Sequence, residues 1–188
     1  MMKIGITGSL ASGKTTASKI LSKKRGPLFS ADSAVKDLYR NPYFRFLVSK
    51  RFKIKNNKKI KRKKKKIILN DKKNIKKLEK IIHPLVRKKM KKFSSVHKNK
   101  KFIFYEIPLL IESKLMKYFK VIIFIKAKKK IRLKRFKSKL GDEQLFKLLD
   151  SKQSPDNKKS KFCNHVVVNE KNLKILKKKL SDIRANYE

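Results

Sequence analysis

Gly8-Ser9-Leu10-Ala11-Ser12-Gly13-Lys14-Thr15 fits the pattern G-x-x-x-x-G-K-[ST] at every fixed position. The flanking residues agree with it. Lys3-Ile4-Gly5-Ile6-Thr7 reads as a short buried strand, and Thr16-Ala17-Ser18-Lys19-Ile20-Leu21 as the opening turns of a helix. Strand, glycine-rich turn and helix is a setting that binds phosphate. Gly8 and Gly13 are expected to take backbone angles denied to other residues, so that the chain curls around an anion. The amides from Ala11 to Thr15 then point inward, and the helix adds the positive end of its dipole. Lys14 is placed to reach the β- and γ-phosphates of a nucleoside triphosphate, and the Thr15 hydroxyl to bind Mg²⁺.

The rest of the chain bounds what such a loop can serve. At 188 residues, with 39% hydrophobic residues, it is one domain's worth of chain and can bury a core. The formal net charge is +44. That suggests polyanion or RNA binding, at least without sequence choice and at low salt. Against a dedicated nucleic-acid site, lysine outnumbers arginine roughly five to one and is spread over nearly the whole chain. The single Cys163 excludes an internal disulfide and argues against a structural zinc site. No apolar run approaches the ~20 residues of a membrane-spanning helix. A cytoplasmic monomer without membrane contact is expected.

Apolar runs at Ile4–Thr7, Pro27–Ser30, Phe102–Tyr105, Val121–Ile125 and Val166–Val168 alternate with helical stretches, the pattern of a parallel α/β sheet. The last two look like central strands covered on both faces. Residues 34 to 98 form a long helical insertion, in which Ile75, Leu78, Ile81, Ile82 and Leu85 share one buried face. That helix is expected to end at His83-Pro84. Residues 128 to 152, with Arg132, Arg135, Lys139 and Gly141, form a smaller basic insertion suited to a lid over phosphates.

Several acidic residues have two readings. Asp32 follows the second strand, where a parallel sheet lines its ligand crevice, and a carboxylate there can take a proton from an attacking hydroxyl. Ser30-Ala31-Asp32-Ser33 is equally an ordinary helix cap. Position alone leaves both open. Glu112, closing Glu106-Ile107-Pro108-Leu109-Leu110-Ile111-Glu112, can position an acceptor or simply complement a helix start. Glu106 and Asp37 are undecided in the same way, and His83 reads more readily as structural than catalytic.

Taken together, these residues resemble the dephospho-coenzyme A kinase family over nearly the whole chain. The resemblance is carried by Thr7–Thr16, Ser30-Ala31-Asp32, the helix at Ala34–Tyr39, Arg62, His83-Pro84, Pro108–Glu112, Arg132 and Arg135, Gln153, and a strand ending in Asn169. The His-Pro pair with Pro-Leu-Leu-x-Glu is its more specific part. It implies a three-layer α/β P-loop kinase fold with a five-stranded parallel sheet. Residues 1–33, 99–127 and 153–188 would form the nucleotide-binding core, 34–98 a helical acceptor domain and 128–152 a lid. It implies phosphorylation of the ribose 3′-hydroxyl of dephospho-coenzyme A by ATP with Mg²⁺.

By this resemblance Asp32 and Lys14 are catalytic. Gly8, Ala11, Ser12, Gly13, Lys14, Thr15, Thr16, Arg135 and Asn169 bind ATP, and Thr15 binds the metal. Asp32, Arg62, His83, Pro108, Leu109 and Glu112 contact the acceptor. The chain departs from the family at Ser30, often acidic there; at Arg132, often Gln; and at Lys139, where an Arg would offer a bidentate fork. A nucleoside or nucleotide kinase of the same fold, and an RNA-associated nucleotide binder without enzymatic activity, are the competing functions.

Overall fold

The computed structural model describes residues 1–53, 72–140 and 142–188. Arg62, Gly141 and the side chain of Ile75 lie outside the described residues. The chain divides into two compact units, Met1–Ser30 with His97–Glu188, and Ala31–Val96.

The first unit is built on five strands: β1 (Met2–Gly8), β2 (Leu28–Ser30), β3 (Phe102–Glu106), β4 (Val121–Lys126) and β5 (His165–Val168). Their order is β2-β3-β1-β4-β5, and every pairing is parallel. β1 is therefore central, with Gly5 registered against Tyr105 on one side and Ile122 on the other. The chain leaves β1 toward one edge and later returns to build the other. That reversal beside β1 is where parallel sheets open a ligand crevice, at the carboxyl ends of the strands.

Alternation of side chains assigns the two sheet faces. Ile4 and Ile6 of β1, Phe102 and Phe104 of β3, and Val121, Ile123 and Ile125 of β4 point to one side. There they pack with Ala17 and Leu21 of α1 (Lys14–Ser22) and with two leucines of the C-terminal helix (Leu173–Ala185), Leu176 and Leu180. On the other side Tyr105 meets Phe119 edge-on, and Leu110 and Phe119 come down on Gly5.

β1, β3 and β4 carry apolar residues in near-continuous runs because both faces are covered. β5 differs from the expectation of a central strand. Among the described residues it pairs only with β4, and Val166 and Val168 remain 45% and 40% exposed, while Val167 points into the core. An apolar triplet shows that a segment extends, but its rank in the sheet follows from topology.

The second unit packs α2 (Ala31–Arg40), α3 (Pro42–Phe52) and α4 (Lys72–Val96) around Leu38, Phe44 and Val48. Asn41 caps α3 by accepting from the Phe44 amide, and Pro42 occupies the first turn, where its missing N–H costs nothing. Leu78, Ile81, Ile82 and Leu85 pack on this core as the spacing predicts. α4 does not stop at His83-Pro84; it runs through Pro84 to Val96. Pro84 is exposed, so water can satisfy the carbonyl its ring displaces, while Leu85 and Val86 continue the buried face and hold the helix together.

The remaining helices of the first unit are α5 (Lys129–Leu140), α6 (Glu143–Asp150), the single turn α7 (Asp156–Ser160) and α8, the C-terminal helix already given. Phe136 of α5 and Phe146 of α6 meet edge to face at 5.5 Å between centroids, so the basic 128–152 segment has an apolar contact of its own. Among the described residues, no helix is long and apolar enough to cross a membrane.

Candidate active site

β1 ends at Gly8 and α1 begins at Lys14, so the loop between them lies at the carboxyl edge of the central strand. Its turn is closed by the Ser12 amide on the Ser9 carbonyl at 3.1 Å. The two glycines serve different needs. Gly13 has φ +96°, the left-handed region that glycine enters without a Cβ penalty. Gly8 has no such angle. Its need is space: a Cβ there would stand 2.5 Å from the Ile125 carbonyl oxygen and 2.6 Å from Ser12 Oγ. The loop's second left-handed residue is Ala11, at φ 57°. The expectation of special backbone angles at both glycines thus holds for Gly13 and is replaced by close approach at Gly8.

Two side chains converge on the far side of the loop. Asn169, just past β5, donates from Nδ2 to the Ser12 carbonyl at 2.9 Å, and its own amide returns to the Lys126 carbonyl. Arg135 of α5 donates to the Asn169 carbonyl at 3.0 Å and to the Ser12 carbonyl at 3.4 Å. Asn169 and Arg135, expected at the nucleotide, are therefore beside the phosphate loop and tied to it.

Arg132, expected in the same basic group, is spent internally. Its Nε donates to the Ala127 carbonyl, and one terminal nitrogen reaches both the Leu10 carbonyl and Asp150 Oδ1, the latter at 2.5 Å. It is buried against the Phe146 ring. It clamps α5 and α6 to the loop.

At the start of α1 the Thr15 hydroxyl donates to Glu106 Oε1. Glu106 ends β3 and is buried, so strand register carries it to the loop. A buried carboxylate at a strand's carboxyl end beside a phosphate-loop threonine is an arrangement that the sequence left undecided. Lys14 is itself buried within the first unit.

Thr7 Oγ1 donates to the Pro108 carbonyl at 3.1 Å, which fixes the turn after β3. Pro108 and Leu109 lie in that turn, half buried. Glu112 accepts from the Ser154 amide at 3.0 Å through Oε1; its Oε2 is buried with no partner among the described residues. Asp32 is the second residue of α2, directly after β2, and is exposed; His83 is half-buried on α4. Burial pushes the Cys163 thiol up to about 11, which leaves it protonated and inert at neutral pH.

A parallel five-stranded sheet whose central strand runs through a phosphate loop into a helix is the fold of the P-loop kinases. Its solved likenesses include a dephospho-CoA kinase from Campylobacter jejuni, 27% identical with TM-score 0.68, the match covering 98% of this chain and 96% of that one. The model of the dephospho-CoA kinase family matches residues 2–174, and the chain belongs to that family. A dephospho-CoA kinase of Bartonella quintana is 35% identical over 92% of this chain and 91% of its own. One of Rickettsia bellii is 30% identical over 100% and 98% respectively.

Proposed function

We propose that this chain transfers the γ-phosphoryl group of ATP to the ribose 3′-hydroxyl of dephospho-coenzyme A, giving coenzyme A and ADP, the last step of coenzyme A synthesis. The observation that carries the donor half is the phosphate loop, held by Asn169 and Arg135 with Thr15 against Glu106. Family membership supports the acceptor.

In this reading Gly8, Ala11, Ser12, Gly13 and Thr16 shape the cradle for the triphosphate, and Lys14 neutralises its β- and γ-phosphates. Arg135 and Asn169 bind ATP from the far side of the loop. Thr15 and Glu106 offer adjacent hard oxygens, which suit Mg²⁺: this ion takes few protein ligands and fills its shell with phosphate oxygens and water. When bound, Mg²⁺ screens the charge of the β- and γ-phosphates. Asp32 orients the 3′-hydroxyl and takes its proton as the new O–P bond forms and the bond from Pγ to the β–γ bridging oxygen breaks.

Arg62, His83, Pro108, Leu109 and Glu112 are assigned to the acceptor. The unfilled Glu112 Oε2 supports the last of these. Residues 34–98 would bind the acceptor and 128–152 would close over the phosphates. The +44 charge would bring salt-dependent, sequence-independent adhesion to RNA. The protein would work as a cytoplasmic monomer.

The decisive experiment is ADP release coupled to a spectroscopic readout, with dephospho-coenzyme A as acceptor, with and without Mg²⁺. Turnover requiring both is the expected result. No turnover of dephospho-coenzyme A, with turnover of a nucleoside monophosphate instead, sinks the proposed acceptor. Asp32→Asn should lower kcat by about 10²- to 10⁴-fold with ATP binding retained; preserved turnover removes Asp32 from its role.

A further inference from the structure

Lys159 is 0% exposed; among the described lysines only Lys14 is also buried. It sits on the one-turn α7, beneath the phosphate loop. Its Nζ donates to Ser9 Oγ at 3.1 Å and to Gln153 Oε1 at 3.2 Å, and stands 3.8 Å from Glu112 Oε1. The ammonium also lies over the Phe124 ring, 5.5 Å from its centroid. Gln153 and the neighbouring Asp156 also touch the loop from their own side. Gln153 Oε1 takes the Leu10 amide at 3.1 Å, and Asp156 accepts from Ser9 Oγ. Ser9 and Leu10 occupy positions the loop pattern leaves free, yet each is held here by a built set of polar groups.

A buried charge cluster of this kind is weak evidence for stability, because desolvation offsets most of the attraction. Burial indeed pushes the Lys159 ammonium below the usual lysine range, against the pull of Glu112 and Asp156. Its value has to lie elsewhere, and what it touches is the segment that receives phosphate. A loop whose donors are fixed before the ligand arrives loses less freedom on binding.

We propose that Lys159 is a positioning residue for phosphoryl transfer: buried under the phosphate loop, it holds Ser9 directly and Leu10 through Gln153, so that the loop is shaped for the triphosphate before ATP binds. This rests on the loop being an ATP site but not on the identity of the acceptor. The test is therefore direct calorimetric binding of MgATP, without any acceptor. Lys159→Met keeps length and apolar bulk while removing the charge and its donors. It should raise the MgATP dissociation constant about tenfold or more in protein with unchanged circular dichroism.

Ser9→Ala, which leaves the ion cluster in place, should weaken binding in the same direction. The double variant should lose less than the product of the two single losses, because both remove the contact between Lys159 and Ser9. Lys159→Arg, retaining charge and donors, should recover part of the affinity. An MgATP dissociation constant within about twofold of the parent in folded Lys159→Met, or losses that multiply in the double variant, overturns the proposal. If Lys159→Met does not fold, Ser9→Ala decides, and unchanged affinity there overturns it equally.

Discussion

Gly13→Ala puts the loop geometry to a quantitative test. The substitution carries two costs. An alanine at φ +96° sits in the left-handed region, a penalty of about 1–2 kcal/mol for an L-residue. Its Cβ would also stand 2.3 Å from Asn169 Nδ2, about 1 Å inside ordinary contact. The amide must retreat, and the 2.9 Å bond to the Ser12 carbonyl is lost, worth about 1 kcal/mol net. The sum is about 2–3 kcal/mol.

Asn169→Ala alone should cost about 1 kcal/mol, since it removes only that bond. The double variant should then cost no more than Gly13→Ala, because the bond can be lost only once. Urea unfolding of the four proteins, read by far-ultraviolet circular dichroism, gives the comparison. Fully additive losses, or a Gly13→Ala midpoint equal to the parent's, would mean that the Asn169 bond and the Gly13 angle do not set the loop.

Other outcomes follow from single contacts. Thr15→Val removes the hydroxyl that meets Glu106 and should raise the Mg²⁺ concentration for half-maximal ADP release about tenfold or more; an unchanged Mg²⁺ titration removes Thr15 and Glu106 from the metal. Arg132→Met leaves half-buried Asp150 with Lys129 alone and should destabilise the fold by about 1.5–3 kcal/mol in urea unfolding, whereas an exposed arginine would cost almost nothing. Cys163, raised from 9.0 to about 11, should react with iodoacetamide at pH 8 about a hundredfold more slowly in the native protein than in urea; equal rates contradict its burial. The sign for stability follows: above pH 9 the unfolded chain gives up this proton first, so the thiol's contribution to stability declines from pH 9 to about 11.

Local signals in the sequence were strong where one residue type has one physical use. The five strands follow from short apolar runs, and the loop from glycines, a lysine and a threonine at fixed spacing. What stayed hidden depends on long-range placement. Val166-Val167-Val168 reads like a core strand, and only the sheet order reveals an edge. Pro84 reads as a stop, and only packing on both sides of it carries α4 onward. Glu106 was one acid among several until register with β1 brought it to Thr15. Lys159 was invisible among so many lysines, because nothing local distinguishes a buried one. Arg132 and Arg135 lie on one helix three residues apart, yet one is buried between Asp150 and the Leu10 carbonyl and the other donates to the Ser12 and Asn169 carbonyls.

The edge position of β5, where Lys179 Nζ already donates to the Val168 carbonyl, bears on how the protein behaves in concentrated solution. An unpaired strand offers peptide groups to any extended chain that comes alongside, including another copy. In this molecule two such edges can meet only by bringing together bodies that each carry a formal +44. At about 0.1 M salt that repulsion reaches across ~10 Å, but at 1 M across only ~3 Å. High salt, the usual means of stripping nucleic acid from a basic protein, would thus remove the guard on its own sheet edge.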